Sequence, residues 1–226
     1  MRYVDGFAIS GDTHTQTMED IMKNRRLAGT GLVVGMAFVA ATAASALAAD
    51  TSKQPSELEA TMMQVQKYGT PGDNHKRLEP FVGKWTFRMR YWMKPGDTPQ
   101  ELHGTSENAW VFGGRFLKRD FKSAMDGQPF DAVGYTGYDN IRGEYQTVWL
   151  GTMGTGIMHV AGTYVAASNA ITESGHFSCP ITGEKARWMR AEWKIIDNDH
   201  HTFTSYAKGP DGKEYRSVEE VYTRVK

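Results

Sequence analysis

Read from its residues alone, the chain is all-β: an antiparallel up-and-down barrel of about ten strands with short N-terminal helices. Past residue 83 the polarity alternates with the two-residue period of a half-buried strand. Gly, Pro, Asn and Asp break that alternation at short intervals, as turns require. The runs between turns leave no room for the crossover that parallel strands need, so sequence neighbours pair antiparallel. A meander of this length either closes or exposes two edges, and closure removes both.

The first strand, Lys84–Met93, is the clearest. Trp85, Phe87, Met89, Tyr91 and Met93 share one face, and Thr86, Arg88, Arg90 and Trp92 the other. Pro95-Gly96-Asp97 closes it. The second strand, Leu102–Phe112, puts Leu102, Gly104, Ser106, Asn108, Trp110 and Phe112 in phase, and Gly113-Gly114 makes a tight hairpin turn. Strand three runs Arg115–Met125 to Asp126-Gly127, strand four Phe130–Tyr138, and strand five Tyr145–Leu150. Strand six, Ile157–Val165, follows a glycine-rich loop. Strands seven and eight, Ala170–Ser178 and Ala186–Ile196, flank Pro180-Ile181-Thr182-Gly183. Strands nine and ten, His201–Lys208 and Glu214–Val225, flank Gly209-Pro210-Asp211-Gly212, the strongest turn signal in the chain.

Ahead of the strands, Ser56-Glu57-Leu58-Glu59 is a capping-box pattern. Leu58, Met62 and Val65 recur at helical spacing until Gly69 and Pro71 stop the helix, which either packs on the barrel or stays loose. Asp73–Glu79 makes one or two more helical turns, limited by Pro80. Leu78, Phe81 and Val82 then turn inward and plug one end of the barrel.

The 226 residues suit one domain and a targeting segment. Met22-Lys23-Asn24-Arg25-Arg26 is a basic start, Leu27 to Ala44 is apolar and small, and Ala46-Leu47-Ala48 fits signal cleavage after Ala48. Residues 22–48 are therefore expected to be a signal peptide and 1–21 an over-long start. Residues 49–72 are read as a linker and short helix, and 73–226 as the barrel. A transmembrane anchor competes for 27–44, but an Ala-rich run is weakly hydrophobic for a span. The mature protein is expected to be periplasmic or secreted, meeting a membrane only during export. Lys and Arg total 26 and Asp and Glu total 26, so no basic surface invites a nucleic acid. Cys179 is the single cysteine, so no internal disulfide forms.

Two resemblances follow from these residues. Gly83-Lys84-Trp85 after a helical turn, with Arg224 late in the last strand, resembles the calycins: lipocalins, fatty-acid-binding proteins and nitrobindins. That likeness implies that Arg224 packs over Trp85 at a closed end. The run from His75 to Trp85 also resembles a bacterial family known as domain of unknown function 1579. So do Gly113-Gly114-Arg115-Phe116-Leu117, Gly134-Tyr135-Thr136-Gly137-Tyr138-Asp139-Asn140 and Tyr222-Thr223-Arg224. This second likeness spans about residues 73–225 and implies a barrel but no activity.

No Gly-x-Ser-x-Gly elbow, phosphate loop or His-Glu-x-x-His occurs. His200 and His201 are adjacent and face opposite ways, while His103, His159 and His176 lie on separate strands, so no metal site is read. No cofactor is called for. An axial haem histidine needs one residue and leaves no pattern, so haem stays open. Glu220 shares a face with Val218, Tyr222 and Arg224, and a buried carboxylate needs a partner. Arg119, in phase with Leu117 and Phe121, supplies one, either as a ligand's polar anchor or as a structural ion pair. Trp188 and Trp193 face opposite ways, so one is free for a homodimer contact.

A barrel wider than eight strands has room for a ligand, unless its own side chains fill it. The expected function is binding of a small, largely apolar molecule without catalysis. Trp85, Phe87, Met89, Tyr91 and Met93 would line the site from the first strand, and Asn108, Trp110 and Phe112 from the second, with Arg119 and Glu220 as polar groups. The alternatives are an enzyme using Glu220 and Arg119 as acid/base and anchor, and a structural protein with a filled core.

Overall fold

The computed structural model describes residues 54–226. The segments assigned to an over-long start and a signal peptide lie outside this range. Ten strands follow two short helices: α1 (Glu57–Gly69), α2 (Asp73–Lys76), a 3-10 turn (Glu79–Phe81), then β1 (Gly83–Tyr91), β2 (Gln100–Val111), β3 (Phe116–Met125), β4 (Gln128–Asp139), β5 (Glu144–Gly151), β6 (Met158–Val165), β7 (Ala170–Phe177), β8 (Arg187–Ile195), β9 (His200–Lys208) and β10 (Glu214–Arg224). Each strand pairs antiparallel with the next, and β1 pairs with β10, so the sheet closes on itself. In that closing pair Trp85 stands opposite Arg224 and Tyr91 opposite Val218.

The expected strands are present, with ends moved by a residue or two. The first stops at Tyr91, short of Met93, and the second stops at Val111. Phe112 belongs to the turn, because the Gly113-Gly114 hairpin recruits a third left-handed residue: Phe112 has φ 51°, beside 65° and 81° at the glycines. Its ring is 72% exposed, so its predicted inward place on strand two is wrong.

The capping box of α1 is formed: Ser56 N–H donates to Glu59 at 2.7 Å, and Glu59 N–H to Ser56 Oγ at 3.3 Å. The apolar stripe of the helix packs against nothing among the described residues; no residue of α1 is buried, and Leu58 is 71% exposed. Only its C-terminal end is tied down, where Asn140 Nδ2 donates to the carbonyls of Tyr68 and Thr70 at 2.8 and 2.9 Å. Among the described residues no helix is long and apolar enough to cross a membrane.

The next segment plugs the barrel as expected. Leu78 and Phe81 are buried among Leu117, Tyr145 and Ile171. Trp85 Nε1 donates to the Phe81 carbonyl at 2.9 Å, and Asn108 Nδ2 donates to the same oxygen at 2.8 Å. The Arg224 guanidinium lies 4.1 Å from the Trp85 ring and donates to the carbonyls of Val82, Pro80 and Asn198. Gly83 is needed here: its φ is 128°, and a Cβ would collide with that guanidinium. Of the tryptophan pair, Trp193 turns inward against Phe81, while Trp188 lies under Lys208 on the outside.

Candidate functional site

Toward the opposite end the interior is hollow. A cavity of about 620 Å³ opens between the β5–β6 and β7–β8 loops. Its walls are Met89, Leu102, Phe121, Phe130, Trp149, Met158 and Phe203. Inward positions on β8 and β9 carry the small Ala191, Ser205 and Ala207, which leave the space unfilled.

Of the residues expected to line a site, Met89, Tyr91, Met93, Arg119 and Glu220 do face this cavity. The others lie beneath or outside it. Trp85, 1% exposed, is locked in the plugged end, and Phe87 stacks on Phe121 at 4.3 Å under the floor. Asn108 is committed to the Phe81 carbonyl and to Ser106 Oγ. Trp110 Nε1 donates to Glu79 at 2.6 Å at the closed rim. Phe112 projects from its turn into solvent. Alternation along a strand tells which side a residue faces but not how deep it sits.

The floor is polar and buried. Arg119 Nη2 donates to Thr136 Oγ1 at 3.1 Å, the Thr136 and Thr147 hydroxyls are 2.8 Å apart, and Thr147 Oγ1 donates to Glu173 Oε1 at 2.7 Å. Because the Thr147 proton goes to Glu173, Thr136 must donate to Thr147, so the chain of bonds has one direction. Arg119 Nε and Glu173 Oε2 have no partner. The expected Arg119–Glu220 ion pair is not formed: Glu220 Oε2 accepts from the Tyr222 hydroxyl instead, and the Arg119 guanidinium lies 4.0 Å from the Trp193 ring. Glu173 was not anticipated. Its in-register spacing from Ile171 on strand seven was the signal, since both are buried on one face.

Burial raises both carboxyls to about 7, against hydrogen bonds and the Arg119 charge, which pull them down. Burial likewise lifts the Tyr222 hydroxyl well above its ordinary value. His201 is pushed down to about 3 by burial and then by the Arg119 and Arg224 charges, so it stays neutral. It is boxed beneath the cavity, stacked on Tyr222 at 4.2 Å with its ring edge-on to Trp85. Among the described residues no three His, Cys, Asp or Glu side chains converge as a metal site would need.

A closed antiparallel barrel, plugged at one end by a helical turn and a Gly-x-Trp strand under an arginine, and open at the other, defines a calycin-like barrel protein. More particularly, the chain belongs to the family described as "Protein of unknown function (DUF1579)", whose model matches residues 70–224. No curated protein matches it. Its fold is similar to that of Rv2717c from M. tuberculosis, with a TM-score of 0.50 and 17% identity over 70% of this chain and 100% of that one. It is also similar to the S-type phycobiliprotein lyase CPES from Guillardia theta, with a TM-score of 0.50 and 8% identity over 68% of this chain and 93% of that one. At such identities the likeness is one of fold.

Proposed function

We propose that this protein binds a small, largely apolar molecule in the barrel interior without reacting with it. The observation that carries this reading is the cavity of about 620 Å³, walled by Met and aromatic side chains and reached from one end. Its size falls in the range of small-molecule pockets. Unbranched Met side chains such as Met89 and Met158 adapt to irregular apolar shapes. Burying apolar area at roughly 25 cal/mol per Å² supports micromolar binding once association costs are met.

The test uses N-phenyl-1-naphthylamine, an uncharged probe that brightens in apolar surroundings. Wild type should bind it. Met89→Trp, which fills the cavity from β1, should fold but lose binding, and Arg88→Trp on the outer face of the same strand should not. A wild type that leaves the probe dark, or two variants that bind alike, would sink this reading in favour of a structural role.

An enzyme is the second reading, favoured by one observation: two carboxyls poised near neutrality beside a cavity. Turnover lost in Glu173→Gln and Glu220→Gln would be its mark.

The same proposal includes export to the periplasm or beyond, supported by the basic start, apolar run and Ala46-Leu47-Ala48 of the sequence. The intact mass of protein recovered outside the cytoplasm should correspond to a chain beginning at Ala49. Recovery of residues 27–45 still attached in the membrane would overturn it.

A further inference from the structure

The cavity floor holds one permanent cation and two carboxyls. Arg119, Glu173 and Glu220 all face the cavity, and all are buried. With both carboxyls ionised the three sum to one negative charge, enclosed by apolar walls. Such an excess is costly to bury unless something neutralises it. Among the described residues nothing else nearby does. His201 from β9 is neutral, and Tyr222 from β10 adds no positive charge. Arg224 is turned away, bonded to the carbonyls of Pro80, Val82 and Asn198. Arg187, which also lines the cavity, is bonded to Glu184 and to the Tyr215 hydroxyl, and Tyr91 and Cys179 carry no positive charge. Glu173 Oε2 has no partner in good hydrogen-bond geometry, although the Trp193 indole N–H comes close enough to the carboxyl to pull its pKa down. The rings of Phe121, Phe130 and Phe203 add aromatic surface, which suits an organic cation.

We propose that the molecule held here is a lipophilic amine, an apolar body with a single ammonium group that docks against Glu173 and Glu220. This rests on the interior-binding reading above and names the ligand's chemistry. The ammonium supplies the missing positive charge; Glu173 Oε2 is covered by its neighbours in the empty barrel, so the carboxyl turns to accept from it. A fatty acid is disfavoured, because its carboxylate would need both glutamates protonated. An alcohol satisfies hydrogen bonds but leaves the charge unbalanced.

In the empty barrel the excess charge is relieved by a proton held on one of the two carboxyls. Docking an ammonium displaces that proton to solvent. Amine affinity should therefore rise with pH through about 7 and be roughly tenfold or more weaker at pH 6 than at pH 8. An alkylammonium, with a pKa near that of lysine at about 10.4, stays charged throughout that interval.

Decylamine, 1-decanol and decanoate should be compared as competitors of N-phenyl-1-naphthylamine at pH 6 and pH 8. The expected order at pH 8 is amine first, by at least about tenfold, then alcohol, then acid, with the amine's lead shrinking at pH 6. In Glu173→Gln and Glu220→Gln, with folding checked by thermal unfolding, that lead over decanol should collapse. Decanol or decanoate equal to the amine at pH 8, or a lead that survives both variants, overturns the amine proposal while leaving interior binding intact. A wild type that takes neither the probe nor the amine overturns both.

Discussion

The plugged end and the hollow end of this barrel are made from the same ten strands with the same alternation, yet one is solid and the other empty. At the plugged end the inward Trp85, Leu117, Tyr145 and Ile171 meet Leu78 and Phe81, which come from outside the sheet. At the open end no such segment enters, and the inward side chains are small, like Ala191 and Ala207, or unbranched, like Met89 and Met158. A ten-stranded barrel is too wide for its own side chains to fill. Solidity here is a property of the plug, and the cavity is what the sheet alone leaves.

Truncation at each end breaks or sharpens that contrast most directly. Trp85→Ala should cost about 4 kcal/mol, as a fully buried ring with a hydrogen-bonded N–H is lost. Met89→Ala, two residues along the same face but beside empty space, should cost less than half as much. Denaturant unfolding measures both, and equal costs would mean the two ends are packed alike.

The polar floor divides the two regions, and its carboxyls can be probed next. Because their folded pKa values lie above that of an exposed Glu, the native state holds protons that the unfolded chain has lost between about pH 4.5 and 7. Their contribution to stability is full at the acid side of that window and lost as pH rises through about 7. Glu173→Gln or Glu220→Gln should therefore raise the melting temperature at pH 8 and leave it little changed at pH 5. A gain in the single variants that ignores pH would contradict the assigned burial of these groups.

Arg224→Ala should cost about 2 kcal/mol through lost packing on Trp85 and lost bonds to three carbonyls. Paired with Trp85→Ala in a double-mutant cycle, the two losses should fall short of their sum, since the groups touch. Smallest of all, Met62→Ser in α1 should shift stability by less than about 0.5 kcal/mol, because Met62 is exposed and no residue of that helix is buried. A larger loss would show that α1 is covered.

Local signals made most of the architecture legible. Alternation located the strands, and Gly, Pro, Asn and Asp located their turns, because both act over a few residues. The Arg224–Trp85 contact was readable through family resemblance. Depth was not readable: Trp85, Phe87 and Asn108 face inward as expected but lie below the cavity, since a strand's period carries no coordinate along the barrel axis. Phe112 was misplaced because the turn took one more residue than its two glycines. The Arg119–Glu220 pair was misjudged because phase puts both residues inside without giving the separation across the barrel. Glu173 escaped because one Glu in a strand usually faces water, and only its phase with Ile171 reveals otherwise.

The seam between β1 and β10 also governs how the chain must fold. Arg224 bonds to Val82 across 142 positions, so the contact that seals the barrel is among the most distant in sequence. Every hairpin can zip locally, but this seam waits for the last strand to exist. Topologies dominated by such remote pairings fold slowly, in milliseconds to seconds. Until the seam forms, β1 offers an open edge bearing Trp85, Phe87, Met89 and Tyr91, a surface that another unfinished chain could pair with. A nascent chain therefore has to be kept from its neighbours until β10 has emerged. A chain cut before Glu214 could never seal and would keep two sticky edges for good.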